Sequence, residues 1–366
     1  MNQETWIVTN DGLHNAFTDL ILWRDLFWLI YVSSPSHFKN KASRLVLMNS
    51  KDAHSWQEVK IFDGSQVRES VRHMPDIRDP KLAVIQNKLF VFALLNEKFD
   101  PEPYQTILSS SADGITWEPF SAALSAGWLL GHPIVTNDGK TAFAAAHRID
   151  QGTAALFTSE DGYSWFQKST IFDGNGNAPG RADETAIQFT GKGEMLAVTR
   201  LESGSSLFGN KQACTLISSA VSPFDKWTNS SRSFITRLDG PVLFCLHDKM
   251  YAVGRRQVEV KHLLQGQGSA FGRKRTALFM VNLPIITQLN TQQGERRTKN
   301  SSPGLLHLFD LPSSGDTSYA GVVVKDGVLY ISYYSNDPGQ DDPWLIGMLR
   351  PTQIMISAVK IEVLPN

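Results

Sequence analysis

Along the whole chain, apolar runs of four to eight residues rich in Val, Ile, Leu, Phe and Tyr alternate with breaks of Gly, Asp, Asn and Pro, and no segment sustains a helical period. That spacing predicts strands throughout and an all-β chain. The runs pair around tight turns. The clearest is Ile134-Val135-Thr136-Asn137-Asp138-Gly139-Lys140-Thr141-Ala142-Phe143, with Asp-Gly between two apolar stretches, a strong hairpin signal. Similar pairs surround Arg24-Asp25, Gln86-Asn87, Gly191-Lys192, the stretch between Phe244 and Lys249, and Asp326-Gly327. They define six units starting near residues 15, 75, 128, 180, 236 and 304. With about four antiparallel strands in each, the expected architecture is a six-bladed β-propeller made of the single domain 1–366. Trp6-Ile7-Val8 and the final run from Ile354 to Ile361 are expected to share one blade and close the ring, and insertions at 201–210 and 257–272 to rim one face.

A second repeat lies within the first. Ser50-Lys51-Asp52-Ala53-His54-Ser55-Trp56, Ser111-Ala112-Asp113-Gly114-Ile115-Thr116-Trp117 and Ser159-Glu160-Asp161-Gly162-Tyr163-Ser164-Trp165 share the pattern Ser-x-Asp-[Gly/Ala]-x-[Ser/Thr]-Trp. Asp and Ser side chains can hold backbone amides a residue or two ahead, Gly accepts a positive φ, and the Trp can latch the turn onto the neighbouring sheet. Three copies on three units cannot converge on one site, so their Asp residues read as turn formers. The segment from Ser219 to Trp227 keeps a trace of the pattern. These repeats resemble the Asp-box of the sialidase superfamily, with one residue fewer between Asp and Gly, and that resemblance also implies a six-bladed propeller.

Composition narrows the function classes. The 366 residues are 42% apolar and carry 35 Lys plus Arg against 36 Asp plus Glu, so no net charge steers the chain toward nucleic acid or an anionic membrane. Met1 to Val8 lacks the basic and apolar regions of a secretory signal, and no run approaches the length of a membrane span, which makes the cytoplasm the expected location. Cys214 and Cys245 sit in or beside strand-like runs and read as reduced thiols. Arg273-Lys274-Arg275 and Arg296-Arg297 are expected in solvated loops.

The candidate chemistry follows from the architecture. In a propeller the innermost strands converge on one mouth, so residues just before each hairpin should meet there. They are Thr18-Asp19, Arg78-Asp79-Pro80, Gly131-His132-Pro133, Asp183-Glu184, Asp239-Gly240-Pro241 and Asp316-Thr317-Ser318-Tyr319. A second layer stands at the end of the next strand: His147, Arg200, Arg255 and Tyr334. Two arginines in matching places can grip a carboxylate through parallel hydrogen bonds. His37, His132 and His147 belong to different blades and lack the short spacing of ligand pairs, so no metal site is expected and no cofactor is called for.

The order Glu184, Arg200, Arg255, Tyr319 resembles the sialidase order of Glu, second Arg, third Arg and nucleophilic Tyr. The resemblance implies a glycoside hydrolase in which Tyr319 attacks the anomeric carbon, Glu184 acts as its base, and Arg200 and Arg255 hold an acidic sugar, with Arg256 in reserve. The phenol needs such help, because its free pKa lies near 10. The general acid would be Asp79 or Asp19, with Asp25 as a third choice. The family's first arginine precedes the Glu by three blades; here Arg78 precedes Glu184 by two, and Asp19 holds the place three before. Arg78, Asp19, His132, His147, Asp239, Asp316 and Tyr334 complete the candidate substrate contacts. The ligand would be a carbohydrate or glycoconjugate, and the alternative is a non-catalytic propeller that binds a glycan or a protein.

Overall fold

The computed structural model describes residues 3–38, 40–66, 75–96, 104–175, 180–203, 207–210, 212–234, 236–258, 266–281, 301–302 and 304–365. Six antiparallel sheets form a six-bladed propeller ring. Their inner strands are His14–Trp23 in blade 1, Asp76–Ile85 in blade 2, Leu129–Leu130 with Ile134–Val135 in blade 3, Arg181–Phe189 in blade 4, Asp239–Leu246 in blade 5 and Thr317–Lys325 in blade 6. Each inner strand turns through a tight hairpin into a second strand, as in Asp326-Gly327, where both residues have positive φ.

Gln3–Thr9 pairs with Gln353–Lys360 as the outermost strand of blade 6, so the two ends of the chain close the ring as expected. One boundary is corrected. Leu305–Asp310, read from the sequence as the opening of the last unit, is an outer strand of blade 5, and blade 6 begins at Thr317. An apolar run specifies a strand but not which sheet receives it.

The core is distributed between sheets. One apolar cluster joins Phe90 and Phe92 of blade 2 to Ala144 and Phe157 of blade 3, another joins Ala197 of blade 4 to Leu156 of blade 3, and further clusters complete the circuit. Each blade is stable only against its neighbours, because its two apolar faces have no other place to hide. Glycines mark the tightest approach. A side chain on Gly321 would meet the Leu20 backbone nitrogen at 2.0 Å, so blades 6 and 1 can close only with glycine there.

The three repeats all link the third and fourth strands of their blades and share one turn. In the second copy, Asp113 Oδ1 accepts from the amides of Ile115 and Thr116 at 2.8 and 2.7 Å, Ser111 Oγ accepts from the Gly114 amide, and the Trp117 indole donates to the Gly114 carbonyl. The Trp then latches onto the preceding blade: Trp117 meets Phe62 edge-on and Trp165 meets Phe92. The Ser219 to Trp227 segment does not make this turn. Its Trp227 indole donates to Ser169 Oγ of blade 3 instead.

One expectation about loops also changes. Lys274 and Arg275 open the strand Lys274–Val281, and Lys274 is buried, with its ammonium on Gln257 Oε1 at 2.7 Å, so the basic triplet is not a solvated loop. Arg296-Arg297 lies outside the described residues. The described parts of the two insertions pack together: the Asn210 amide donates to the Gln267 carbonyl and the Ala270 amide to the Leu207 carbonyl. Among the described residues, no helix is long and apolar enough to cross a membrane. Both cysteines are free thiols.

Candidate active site

One irregularity, repeated around the ring, builds the mouth. The inner strands of blades 1, 2, 4, 5 and 6 each slip register against their neighbour: at Phe17-Thr18, Asp79-Pro80, Asp183-Glu184, Gly240-Pro241 and Tyr319-Ala320. In blade 3 the strand breaks outright at Gly131-His132-Pro133. A bulge bends the strand and re-aims the side chains it carries. Several of these residues adopt left-handed backbone, with φ of 54° at Phe17, 49° at Asp79, 55° at Gly240 and 49° at Tyr319. Non-glycine residues held there cost about 1–3 kcal/mol each and concentrate at functional sites.

The bulges bring together Tyr319 and Glu184. The Tyr319 hydroxyl donates to Glu184 Oε1 from blade 6 to blade 4. Gly240 makes room for this, since a Cβ there would stand 3.0 Å from the Tyr319 ring. Both side chains line a pocket whose wall also includes Thr18, Asp19, Asp79, Lys81, His132 and His147. Burial, followed by the Glu184 charge, raises the Tyr319 phenol well above its ordinary pKa, more than Arg255 and Arg200 lower it. Burial also raises Glu184; Arg200 pulls it back, and the charges of Asp183 and Asp239 push it up again. The proton therefore rests on the phenol with a basic carboxylate beside it.

Beneath this pair lies a network of buried ions. Arg200 Nη1 donates to both oxygens of Glu184 at 2.9 and 2.7 Å, its Nε to Glu202 at 2.7 Å, and it stands 3.4 Å from Asp239 and 3.6 Å from Asp183. Arg255 bridges Asp239 and Asp316, each at 3.3 Å, and lies over the rings of Tyr319 and Trp344. Burial alone would favour neutral Asp239, but Arg200, Arg237 and Arg255 outweigh it and hold Asp239 well below the usual carboxylate range. Asp183 is likewise held low, with Arg200 and then His147 overcoming burial; the same contact raises His147.

The remaining predicted residues take different places around this pair. Asp19 is buried and stitches three blades, accepting from the Leu20 and Leu82 amides at 2.9 and 2.7 Å and meeting His132 Nδ1 at 2.9 Å. Asp79 is partly exposed in the pocket and takes the Lys81 ammonium at 2.6 Å. Arg78 turns back to its own strand, with Nη2 on Asp76 at 2.9 Å and Nη1 on the His37 carbonyl. Asp316 and Tyr334 are buried behind the pocket, where the Tyr334 hydroxyl donates to Asp316 Oδ1 at 3.0 Å. Arg256, the reserve arginine, projects from the opposite face of its strand and pairs with Asp310. Asp25 occupies the exposed hairpin turn of blade 1.

Among the described residues, His14, His37 and Asp316 have donor atoms within 4.8 Å of one another, close enough to suggest a cation. Asp316 is already committed. Its Oδ1 accepts from Tyr334, Trp344 and Arg255, and its Oδ2 meets His37 Nδ1 at 2.6 Å and lies 3.3 Å from His14 Nε2, a buried nitrogen with no hydrogen bond.

No family model and no curated protein matches the sequence. Solved structures do. A Dyadobacter fermentans protein of unknown function superposes with a TM-score of 0.66 at 17% identity, covering 98% of both chains. The Trypanosoma rangeli sialidase in complex with sialic acid gives 0.67 at 13%, covering 99% of this chain and 59% of that one. The phage phi92 endosialidase gives 0.67 at 11%, covering 98% and 69%. The fold is the sialidase propeller. This chain spans about three-fifths of the Trypanosoma rangeli sialidase.

The sequence reading of this sialidase fold left out Glu202, Arg237, Lys81 and Trp344. Glu202 and Arg237 are as central to the ion network as any named residue: Arg237 donates twice to Asp239 and twice to Glu202. A signal for them was present. Arg200 and Glu202, and Asp76 and Arg78, are opposite charges two apart on one strand, which puts both on one face, and Arg237 stands two residues before Asp239. Lys81 also stands two after Asp79, but the bulge at Asp79-Pro80 lies between them; Trp344 had no such mark, because its place depends on a helix, Trp344–Met348, that only tertiary contacts fix.

Proposed function

We propose that the protein is a retaining glycoside hydrolase using Tyr319 as nucleophile. The hydrogen bond from Tyr319 to Glu184 carries the reading, because a buried phenol can attack only as its proton passes to a base. As Tyr319 Oη bonds to the anomeric carbon, the phenol proton moves to Glu184, the glycosidic C–O bond breaks, and the leaving oxygen takes a proton from Asp79. Water then gives its proton back to Asp79 and adds to the anomeric carbon, and the departing phenolate recovers its proton from Glu184. A tyrosine nucleophile is a known departure from the two-carboxylate scheme. Supporting it are the partial exposure of Asp79 in the same pocket and the likeness to sialidase structures.

One observation favours the rival, a propeller that binds a glycan without cleaving it. Asp79 is ion-paired with Lys81, and Asp19 is engaged by two amides and His132, so both candidate acids already have partners within the protein. Assaying a panel of fluorogenic glycosides with wild type and Tyr319→Phe separates the two. Release that collapses in the variant supports hydrolysis, whereas no release from any glycoside by folded protein leaves the binding reading.

A further inference from the structure

We infer that the pocket takes a sugar that carries no carboxylate, either uncharged or bearing an amine, and that Arg200, Arg237 and Arg255 are counter-ions for the protein's own acids. This rests on the reading of the pocket as a glycoside site and fixes the chemical class of its ligand.

Three guanidiniums, Arg200, Arg237 and Arg255, face five carboxylates: Asp183, Glu184, Glu202, Asp239 and Asp316. His147 also meets Asp183, and His14 and His37 meet Asp316, so the charges of the three arginines are matched within the protein before a ligand arrives. Every nitrogen of Arg200 is directed at a protein carboxylate, and all three of Arg237 as well. A ligand carboxylate could reach Arg200 only by displacing Glu184 or Glu202 and leaving that acid unpaired at low dielectric, which is among the most destabilising of single changes.

Lys81 in the described wall and Arg78 beside it are paired as well. Lys81 is on Asp79 at 2.6 Å. Arg78 is on Asp76 and the His37 carbonyl. At the blade 1 bulge the side chain is Thr18, whose hydroxyl donates to the Tyr319 carbonyl at 2.8 Å. The carboxyl groups that do face the pocket, Asp79 and Glu184, suit hydroxyl or ammonium donors, since an ionised carboxylate can only accept.

The test is equilibrium binding to the full wild-type chain, followed by ligand-observed NMR and thermal shift. The probes are methyl glycosides of neutral hexoses and N-acetylhexosamines, methyl glucosaminide for the amine, and methyl glucuronide and methyl sialoside for the acids. Neutral or amino sugars should bind at least about 30-fold tighter than either acid, roughly 2 kcal/mol. In a Glu202→Gln/Asp239→Asn variant the freed guanidiniums should raise affinity for the acids about tenfold. If that variant does not fold, Glu202→Gln alone, at the more exposed acid, should move in the same direction. Tighter binding of the sialoside or glucuronide by wild type would overturn the inference even if Tyr319-dependent hydrolysis is found. Binding of a neutral sugar without hydrolysis would sustain it while the hydrolase reading falls. No binding of any sugar would end both.

Discussion

Tyr319 and Glu184 are separated by 135 residues in the chain and joined by one hydrogen bond across the mouth of the propeller. The contact exists because two inner strands, in blades 6 and 4, slip register at matching positions. If this pair is the nucleophile and its base, Tyr319→Phe and Glu184→Gln should each lower kcat by about 10²–10⁴ while leaving the folded structure intact. Loss of activity with an unchanged melting temperature is the expected outcome for Tyr319→Phe, whereas Glu184→Gln, which takes a charge from buried Arg200, should also lower the melting temperature. Equal activity in Tyr319→Phe would sink the assignment.

The same pair sets a pH dependence. Glu184 must be ionised to take the phenol proton, and burial with the Asp183 and Asp239 charges raises its pKa. Activity should therefore fall with acidification through an apparent pKa above the usual 4.3 of glutamate. Asp183→Asn removes one of the raising charges, so this acid limb should shift to lower pH. A limb that stays in place would show that another group controls it.

Asp239 is the counter-ion shared by Arg200, Arg237 and Arg255, so Asp239→Asn should destabilise the chain by about 3–5 kcal/mol at neutral pH. The sign of its pH dependence is fixed by direction. Asp239 and Asp316 are held well below the usual carboxylate range, so their contribution is present above the unfolded value near 3.9 and is lost as pH falls through the folded ones. Chemical unfolding measured from neutral to acidic pH should show wild type losing stability faster than Asp239→Asn below about pH 4.

How much of this was legible in the sequence follows from the range of the interactions. The hairpins and the Asp-containing turns are local, so the blade number and the ring closure by Trp6-Ile7-Val8 could be read. The meeting of Tyr319 and Glu184 was legible because the position before each hairpin repeats around a ring. Sheet membership of Leu305–Asp310 was not, since nothing local distinguishes the outer strand of one blade from the inner strand of the next. Nor was the saturation of the arginines. Arg200 and Arg255 look like ligand donors until Glu202, Asp239 and Asp316 are seen folded against them. Lys274 reads as solvent-exposed in Arg273-Lys274-Arg275, yet burial at the start of its strand pushes its ammonium well below its ordinary pKa.

The turn repeats offer a test of what holds the blades together. Gly139 and Gly162 both sit at positive φ, 70° and 79°, so alanine at either is strained by the same backbone preference. They differ in surroundings. Nothing lies within 4 Å of a Cβ at Gly139, whereas at Gly162 it would stand 2.5 Å from the Phe90 ring of the preceding blade. Gly139→Ala should cost about 1 kcal/mol, from the backbone alone. Gly162→Ala should add about 1–3 kcal/mol of overpacking, because Phe90 is fully buried and has nowhere to move. Matched denaturant titrations of the two variants measure the difference. If the costs come out equal, the glycine in the repeat serves only the turn; if Gly162→Ala is the more damaging, it also sets the distance between blades 2 and 3.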